Sequence, residues 1–354
     1  MLIAPLDWGL GHAARMIPIV KFLQQNGCRV VLTASGISAT LLQKTFPGTE
    51  FIQSEQFKIR YSRSGNWMPF VLLAQLPRIA LSIVREHFWL KKVCKEIPFD
   101  LILSDNRPGL FHRSIKSVYI THQLAIQGGN GLANRLLRGM HYFFINRFSA
   151  CWVPDYPEPR SLAGKLSNPE KLPRVPTTYI GCLSRFEKPA GLSARSLDLL
   201  ILLSGPEPQR TVLEERIISQ IKDAGMHTCL VRGVDTGTPM PEYLPEHLEV
   251  HDFLPTEQLN EKLESARMVL CRSGYSSVMD LIKLKKKAIL IPTPGQTEQE
   301  YLAQHLRKKG YFYTAAQETF NLNEALKEAV HFGNEPPDFS MHEFEEVLKR
   351  MIQA

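Results

Sequence analysis

Four stretches of this 354-residue chain carry side chains able to do chemistry. Gly9-Leu10-Gly11-His12-Ala13-Ala14-Arg15 puts an imidazole where a glycine loop becomes a helix, and an imidazole titrates near the pH at which enzymes work. His12 can therefore act as a general base or orient an anion. Asp105 follows the apolar run Leu101–Ser104, and Thr121-His122-Gln123 follows Ser117–Ile120. Both lie where a strand would end, the place at which open α/β sheets hold ligands. The fourth stretch runs from Cys271 to Glu300. Arg272-Ser273-Gly274 opens a helix carrying Asp280 on an otherwise apolar face, and Pro294-Gly295-Gln296-Thr297-Glu298-Gln299 opens another. Each helix mouth offers free N–H groups and a dipole that favour an anion. Asp280, Glu298 and Gln299 between them suit hydroxyl groups, and an anion site beside hydroxyl partners points to a nucleotide sugar.

Each candidate has a plainer rival. His12 could bond a neighbouring backbone group, and Arg15, one turn on, reads as structural or phosphate-facing rather than catalytic. Asp105 could cap a helix or form an Asx turn, or else be the base or polarise His12; Asp7 has a similar, weaker claim. Ser204-Gly205-Pro206-Glu207 opens a further helix, where Gly205 allows close approach of a diphosphate. Arg210 there could add charge or be a solvated helix residue. Phe253 and Leu254 could line a nucleobase site, with a core aromatic as the alternative. The lysines from 283 to 287 read as a solvated helix end.

The elements that must position these residues form two similar sets. Leu2–Ala4 reads as a strand, followed by the glycine loop, a helix to about Asn26, and a strand over Arg29–Thr33. Leu197–Leu203 repeats the pattern with the loop Ser204–Arg210, a helix over about Thr211–Ala224, and a strand over Thr228–Arg232. Each is the first βαβ unit of a parallel sheet, so two Rossmann-like domains are expected. Prolines between Trp152 and Pro176 mark a linker. The resulting bounds are residues 1–160, a linker over 161–178, a second domain over 179–335, and a final helix in 336–354 that crosses back onto the first domain.

The segment from Cys271 to Glu300 resembles the C-terminal half of family 28 glycosyltransferases, and GxGHxxR resembles their N-terminal loop. The loop also resembles that of a UDP-sugar hydrolase. The resemblance implies an α/β GT-B fold, two Rossmann-like domains with parallel sheets facing across a cleft. It also implies a metal-independent, inverting transfer of a sugar, N-acetylglucosamine among the candidates, from a UDP-sugar to an acceptor hydroxyl. On the donor side it implies Gly11, Gly205, Arg210, Phe253, Leu254, Arg272, Ser273, Gly274, Ser276, Asp280, Gln296, Glu298 and Gln299. Asp280 stands where the family usually has Glu, one methylene longer. His12 and Asp105 are the implied catalytic pair, and Asp7, His122 and Gln123 the acceptor side. There the family carries an acidic-Gln-Asn triplet that this chain lacks. A hydrolase or epimerase of the same fold, and a non-catalytic nucleotide-sugar-binding partner, are the other readings.

Composition sets outer bounds. Apolar content of 44% and charged content of 22% describe an ordinary globular chain, and a formal charge of +7 favours acidic partners. The basic residues are dispersed and match no nucleic-acid motif, so nucleic acid is not expected as a partner. Six scattered cysteines without metal-like spacing suggest free thiols in a reducing cytoplasm. No signal peptide is expected before the first strand, and Gln75, Pro77 and Arg78 break the longest apolar run, so no membrane span is expected. Basic amphipathic stretches from Trp67 to Ile97 and from Asn130 to Trp152 could rest on an anionic bilayer or belong to the core. The expected partners are a nucleotide sugar and a saccharide or lipid-linked acceptor. No metal or other cofactor is expected, and the expected location is the cytoplasm or the inner face of its membrane.

Overall fold

The computed structural model describes residues 1–7, 9–54, 68–126, 131–187, 196–205, 207–221, 225–234, 239, 244–245, 247–333, 339 and 341–353, with side chains left out at 68–73, 132 and 133. Two compact units divide the chain: one holds Met1–Ile59, Leu72–Ser184 and Phe339–Ala354, the other Arg60–Val71 and Arg185–Asp338.

The N-terminal unit contains β1 (Leu2–Pro5), α1 (Leu10–Gln25), β2 (Val31–Leu32), α2 (Gly36–Thr45), β3 (Glu50–Phe51), α3 (Met68–Glu96), β4 (Leu101–Asp105), β5 (Lys116–Ile120), α4 (Gly131–Ile145), β6 (Ala150–Val153) and β7 (Thr177–Tyr179). The strands form one seven-stranded sheet in the order β3-β2-β1-β4-β5-β6-β7, and every pairing is parallel. The order reverses between β1 and β4, with Pro5 in register with Asp105. That switch point opens a crevice at the carboxyl ends of the two strands, and both candidate catalytic residues come from its rims. Strand β1 is fully buried and β4 likewise, as sheets covered by helices on both faces require.

The C-terminal unit follows the same plan with β8 (Leu197–Leu202), α5 (Gln209–Ile221), β9 (Thr228–Val231), β10 (Leu248–His251), α6 (Thr256–Ser265), β11 (Ala266–Cys271), α7 (Tyr275–Leu284), β12 (Ala288–Leu290), α8 (Thr297–Lys308), β13 (Tyr313–Thr314) and α9 (Leu322–His331). Its six strands run β10-β9-β8-β11-β12-β13, again all parallel. Here the reversal lies between β8 and β11, whose following loops are Ser204–Pro208 and Arg272–Gly274. Leu199, Ile201, Leu213, Ile217, Leu270 and Ile289 form the dry centre under α5 and α9.

The last helix, α10 (Glu343–Gln353), belongs to the N-terminal unit. Phe344 meets Phe22 of α1 edge-on at 6.2 Å between ring centroids. The proline-rich stretch expected as a linker is instead part of that unit. Tyr156, Leu162 and Leu166 are buried, and Thr177–Tyr179 is the sheet's edge strand. Asp155 anchors the stretch by accepting from Ser161 Oγ at 2.6 Å, Ser167 Oγ at 2.5 Å and the Leu162 amide at 2.9 Å. Proline marks turns because its φ is fixed, and turns occur inside domains as well as between them.

Candidate active site

In the N-terminal unit, α1 begins directly after the β1 loop. Its N-cap, Gly9, has φ of 116°, a region costly for any residue with a Cβ. That turn puts His12 in the first helical turn and Arg15 one turn on along the same face. Three strand ends then converge. His12 Nδ1 lies 3.0 Å from Asp105 Oδ2. Arg15 donates from Nε to Asp105 Oδ2 at 2.8 Å and from Nη2 to Asp105 Oδ1. Its Nη1 lies 3.2 Å from His122 Nδ1 and its Nη2 2.9 Å from His12 Nδ1. His12, Asp105 and His122 thus form one cluster, and Arg15 is its hub.

Burial divides the roles. The Asp105 side chain is fully buried, whereas His12 keeps 19% of its side chain in solvent. Burial alone would raise the Asp105 pKa, but the charges and hydrogen bonds of Arg15 and His12 outweigh it and hold the carboxyl at about 2. An ionised, enclosed carboxylate with both oxygens engaged is a poor base. Burial also lowers the His12 pKa, with Arg15 acting in the same direction and Asp105 against it, so the imidazole is neutral at pH 7. Arg15 is 2% exposed; it is structural as one alternative had it, and not phosphate-facing.

The other acceptor-side candidates fare differently. Asp7 is buried and takes the Ser35 hydroxyl at 2.8 Å, so its carboxylate ties the β1 end to the start of α2. His122 is 5% exposed, with Nδ1 turned to Arg15. Gln123 is half-buried, and its backbone N–H donates to Thr121 Oγ1 at 3.1 Å.

In the C-terminal unit, four strand-end loops gather the donor-side candidates. Gly205 has φ of 104°, and a Cβ there would point toward Thr293 Oγ1 at 3.9 Å, so the β8 and β12 loops adjoin. Gly274 N-caps α7 in open surroundings. Ser276 and Asp280 are half-buried on α7; Glu298 and Gln299 are half-buried in the first turn of α8, after Gln296 at its N-cap. Phe253 is half-buried after β10, but Leu254 is 5% exposed, a core side chain. Gln299 Oε1 accepts from the Thr293 amide at 2.9 Å, Glu300 Oε1 accepts from the Gly295 amide at 2.8 Å, and Ser273 Oγ donates to the Gln299 carbonyl at 2.8 Å. The Pro-rich loop, α7 and α8 are therefore fixed to one another.

Two expected phosphate cations are placed elsewhere. Arg272 is 1% exposed and donates to the carbonyls of Gln209 at 2.7 Å, Pro292 at 3.3 Å and Ile291 at 3.4 Å. Burial pulls its pKa down to about 10; it staples the β11 and β12 ends to the start of α5. Arg210 is 4% exposed and donates to Glu207 at 2.5 Å and Glu214 at 3.0 Å. Arg232, fixed by Glu214 at 2.6 Å and Asp252 at 2.7 Å, extends that buried ionic row. Glu207 Oε2 also accepts from the Thr211 amide at 3.3 Å, so a carboxylate already caps α5. Neither of these two arginines is left to face an anion, whereas the N-termini of α7 and α8 are.

One residue absent from the sequence reading stands by Asp280. Arg185 donates to Thr256 Oγ1 at 3.4 Å; burial lowers its pKa, and the Asp280 and Glu257 charges oppose that. Nothing local marks it, because both carboxylates lie far off in sequence. Among the described residues, Cys229, Glu249 and His251 could together offer a metal three ligand atoms. The Lys262 ammonium holds both Glu249 oxygens, at 2.5 and 2.8 Å, which competes with any metal for that carboxylate. The six cysteines are all free.

An α/β protein of two parallel sheets, each with its polar candidates at a switch point, is the class that fold and site define. Residues 211–351 match the glycosyltransferase family 28 C-terminal domain. An uncharacterized glycosyltransferase of Methanosarcina acetivorans is 21% identical over 324 residues, covering 86% of this chain and 82% of the relative. The glycotransferase of kitacinnamycin superposes with a TM-score of 0.62 at 17% identity, over 99% of this chain and 94% of that one. MurG of Acinetobacter baumannii gives 0.52 at 15% identity, over 100% and 98%. Residues 211–351 thus form a family 28-type glycosyltransferase C-terminal domain, in a chain with the two-sheet GT-B fold of glycosyltransferases.

Proposed function

We propose that this glycosyltransferase moves a sugar from a UDP-sugar to an acceptor hydroxyl, with inversion at the anomeric carbon and without a metal. The observation that carries the reading is a partly exposed neutral imidazole at the β1 end, braced by an ionised carboxylate from the β4 end. His12 Nε2 takes the proton of the acceptor hydroxyl as that oxygen attacks the anomeric carbon. The bond from that carbon to the diphosphate breaks, and the departing negative charge is met by the N-termini of α7 and α8. Asp280 and the Glu298-Gln299 pair suit the ribose and sugar hydroxyls. Arg272 and Ser273 serve the donor by holding the loops, and Asp105 serves the base by holding its ring.

An acceptor that is a saccharide or a lipid-linked sugar fits the same reading, as does work at an anionic inner membrane surface. Leu81, Val84 and Phe88 on α3 and Leu136, Met140 and Phe143 on α4 are exposed apolar side chains, Phe88 at 63% and Leu136 at 68%. Lys91, Lys92, Lys95, Arg135, Arg138 and Arg147 punctuate the same stretches, a pairing suited to anionic lipid. Trp67, Asn130 and the side chains of Phe70, Leu72 and Leu73 lie outside the described residues. No helix among those described is long and apolar enough to cross a membrane.

The test is turnover with a panel of nucleotide sugars, with and without a lipid or saccharide acceptor fraction. Nucleotide release that depends on the acceptor fits transfer. Equal release of free sugar without acceptor would replace transfer by hydrolysis.

A further inference from the structure

Arg15 touches all three polar partners of the cluster, and a guanidinium only donates. That fact assigns protons. The contact of Arg15 Nη1 with His122 Nδ1 at 3.2 Å is a hydrogen bond only if that nitrogen carries a lone pair. The neutral His122 ring must then keep its proton on Nε2. The lone pair of that ring is then engaged by Arg15 and is not turned to a substrate.

His12 is placed oppositely. Its Nδ1 lies between Asp105 Oδ2 at 3.0 Å and Arg15 Nη2 at 2.9 Å, and one nitrogen cannot donate to the first while accepting from the second. Arg15 already directs Nε and Nη2 to the two Asp105 oxygens. A carboxylate is a stronger attraction for the ring proton than a cation is for the ring lone pair. With the proton on Nδ1 toward Asp105, the Nε2 lone pair is left for a substrate.

We propose that Arg15 is a positioning residue that sorts the two histidines into opposite tautomers, so that only His12 can serve as the base. It does so through Asp105 and His122 and touches no substrate, being 2% exposed. The groups that face the His12 ring are Arg15 from α1, Asp105 from the β4 end and His122 from the segment after β5. Of these, Arg15 and His122 disfavour the charged ring and Asp105 favours it. The proposal deepens the reading of His12 as the base and rests on it.

The test is long-range proton–nitrogen correlation NMR on histidine-labelled full-length protein at pH 7.5, with His12→Gln and His122→Gln used for assignment. In the wild type, His122 should show the Nε2–H pattern and His12 the Nδ1–H pattern. Arg15→Gln should release His122 into a mixture of tautomers and make His12 titrate at higher pH. His122 protonated on Nδ1 in the wild type would overturn the proposal, and so would Arg15→Gln spectra with both patterns and titrations unchanged. If Arg15→Gln fails to fold, the wild-type patterns still decide. No substrate is needed, so the two failures separate. Wrong tautomers with His12-dependent transfer refute only the Arg15 assignment, and right tautomers with His12-independent transfer refute only the base.

Discussion

Replacing Asp105 by Asn keeps the shape of the side chain and removes the one negative charge inside the cluster. Arg15, with 1% of its side chain exposed, would then be a buried cation with a neutral neighbour. Two routes give the magnitude. A carboxyl held at about 2 in the folded protein against a model value of 3.8 contributes roughly 2.5 kcal/mol at neutral pH. Removing one partner of a buried ion pair costs about 3–5 kcal/mol. Asn still accepts one hydrogen bond, so the expected loss is at the lower end, about 2–3 kcal/mol. The pH window follows from the sign of the shift. A depressed carboxyl stabilises fully above its unfolded value of 3.8, and the contribution disappears as pH falls through about 2. The difference between wild type and Asp105→Asn should therefore be full at pH 7 and shrink below about pH 4. Urea unfolding read by tryptophan fluorescence suits the question, because Trp8, Trp89 and Trp152 lie in the N-terminal half. The N-terminal transition should move to lower urea with its slope unchanged. A loss under about 1 kcal/mol at pH 7, or one that persists undiminished in acid, would refute the buried-pair reasoning.

Two further outcomes follow from the same geometry. With His12 held below the ordinary imidazole value of 6.5, kcat/KM should be flat through neutrality and fall on the acid side with a midpoint under 6.5, as the base becomes protonated; a midpoint above that value would contradict the electrostatics. Phe88→Ser combined with Phe143→Ser should weaken flotation with phosphatidylglycerol liposomes and leave the fold intact, since both rings are exposed; flotation unchanged, or indifferent to anionic lipid, would remove the membrane surface.

The strands were legible because parallel sheets buried on both faces need short, nearly continuous apolar runs, as over Leu197–Leu202; the strand order that sets the switch points was not, since it depends on pairing between distant segments. The glycine turns told where loops enter helices, and so which polar residues reach a strand's carboxyl end. The arginines were not legible. Arg272 follows a strand and precedes a helix mouth, which suits a phosphate ligand and a backbone staple equally well. Only the Gln209 carbonyl, 63 residues away, decides. Arg15 is the same problem in reverse, because its significance depends on Asp105, 90 residues on. The prolines after Trp152 misled, since the buried Asp155 network that organises them is invisible in composition.

The central claim is that His12 removes the acceptor proton while the C-terminal unit holds the donor. It is tested most directly by comparing wild type with His12→Ala in two readings on one preparation: radiolabelled sugar transfer to acceptor, and UDP binding by calorimetry. The account predicts that transfer falls by about 100-fold or more while UDP affinity stays within about 2-fold, a difference under roughly 0.5 kcal/mol. Transfer at the wild-type rate by His12→Ala would contradict it.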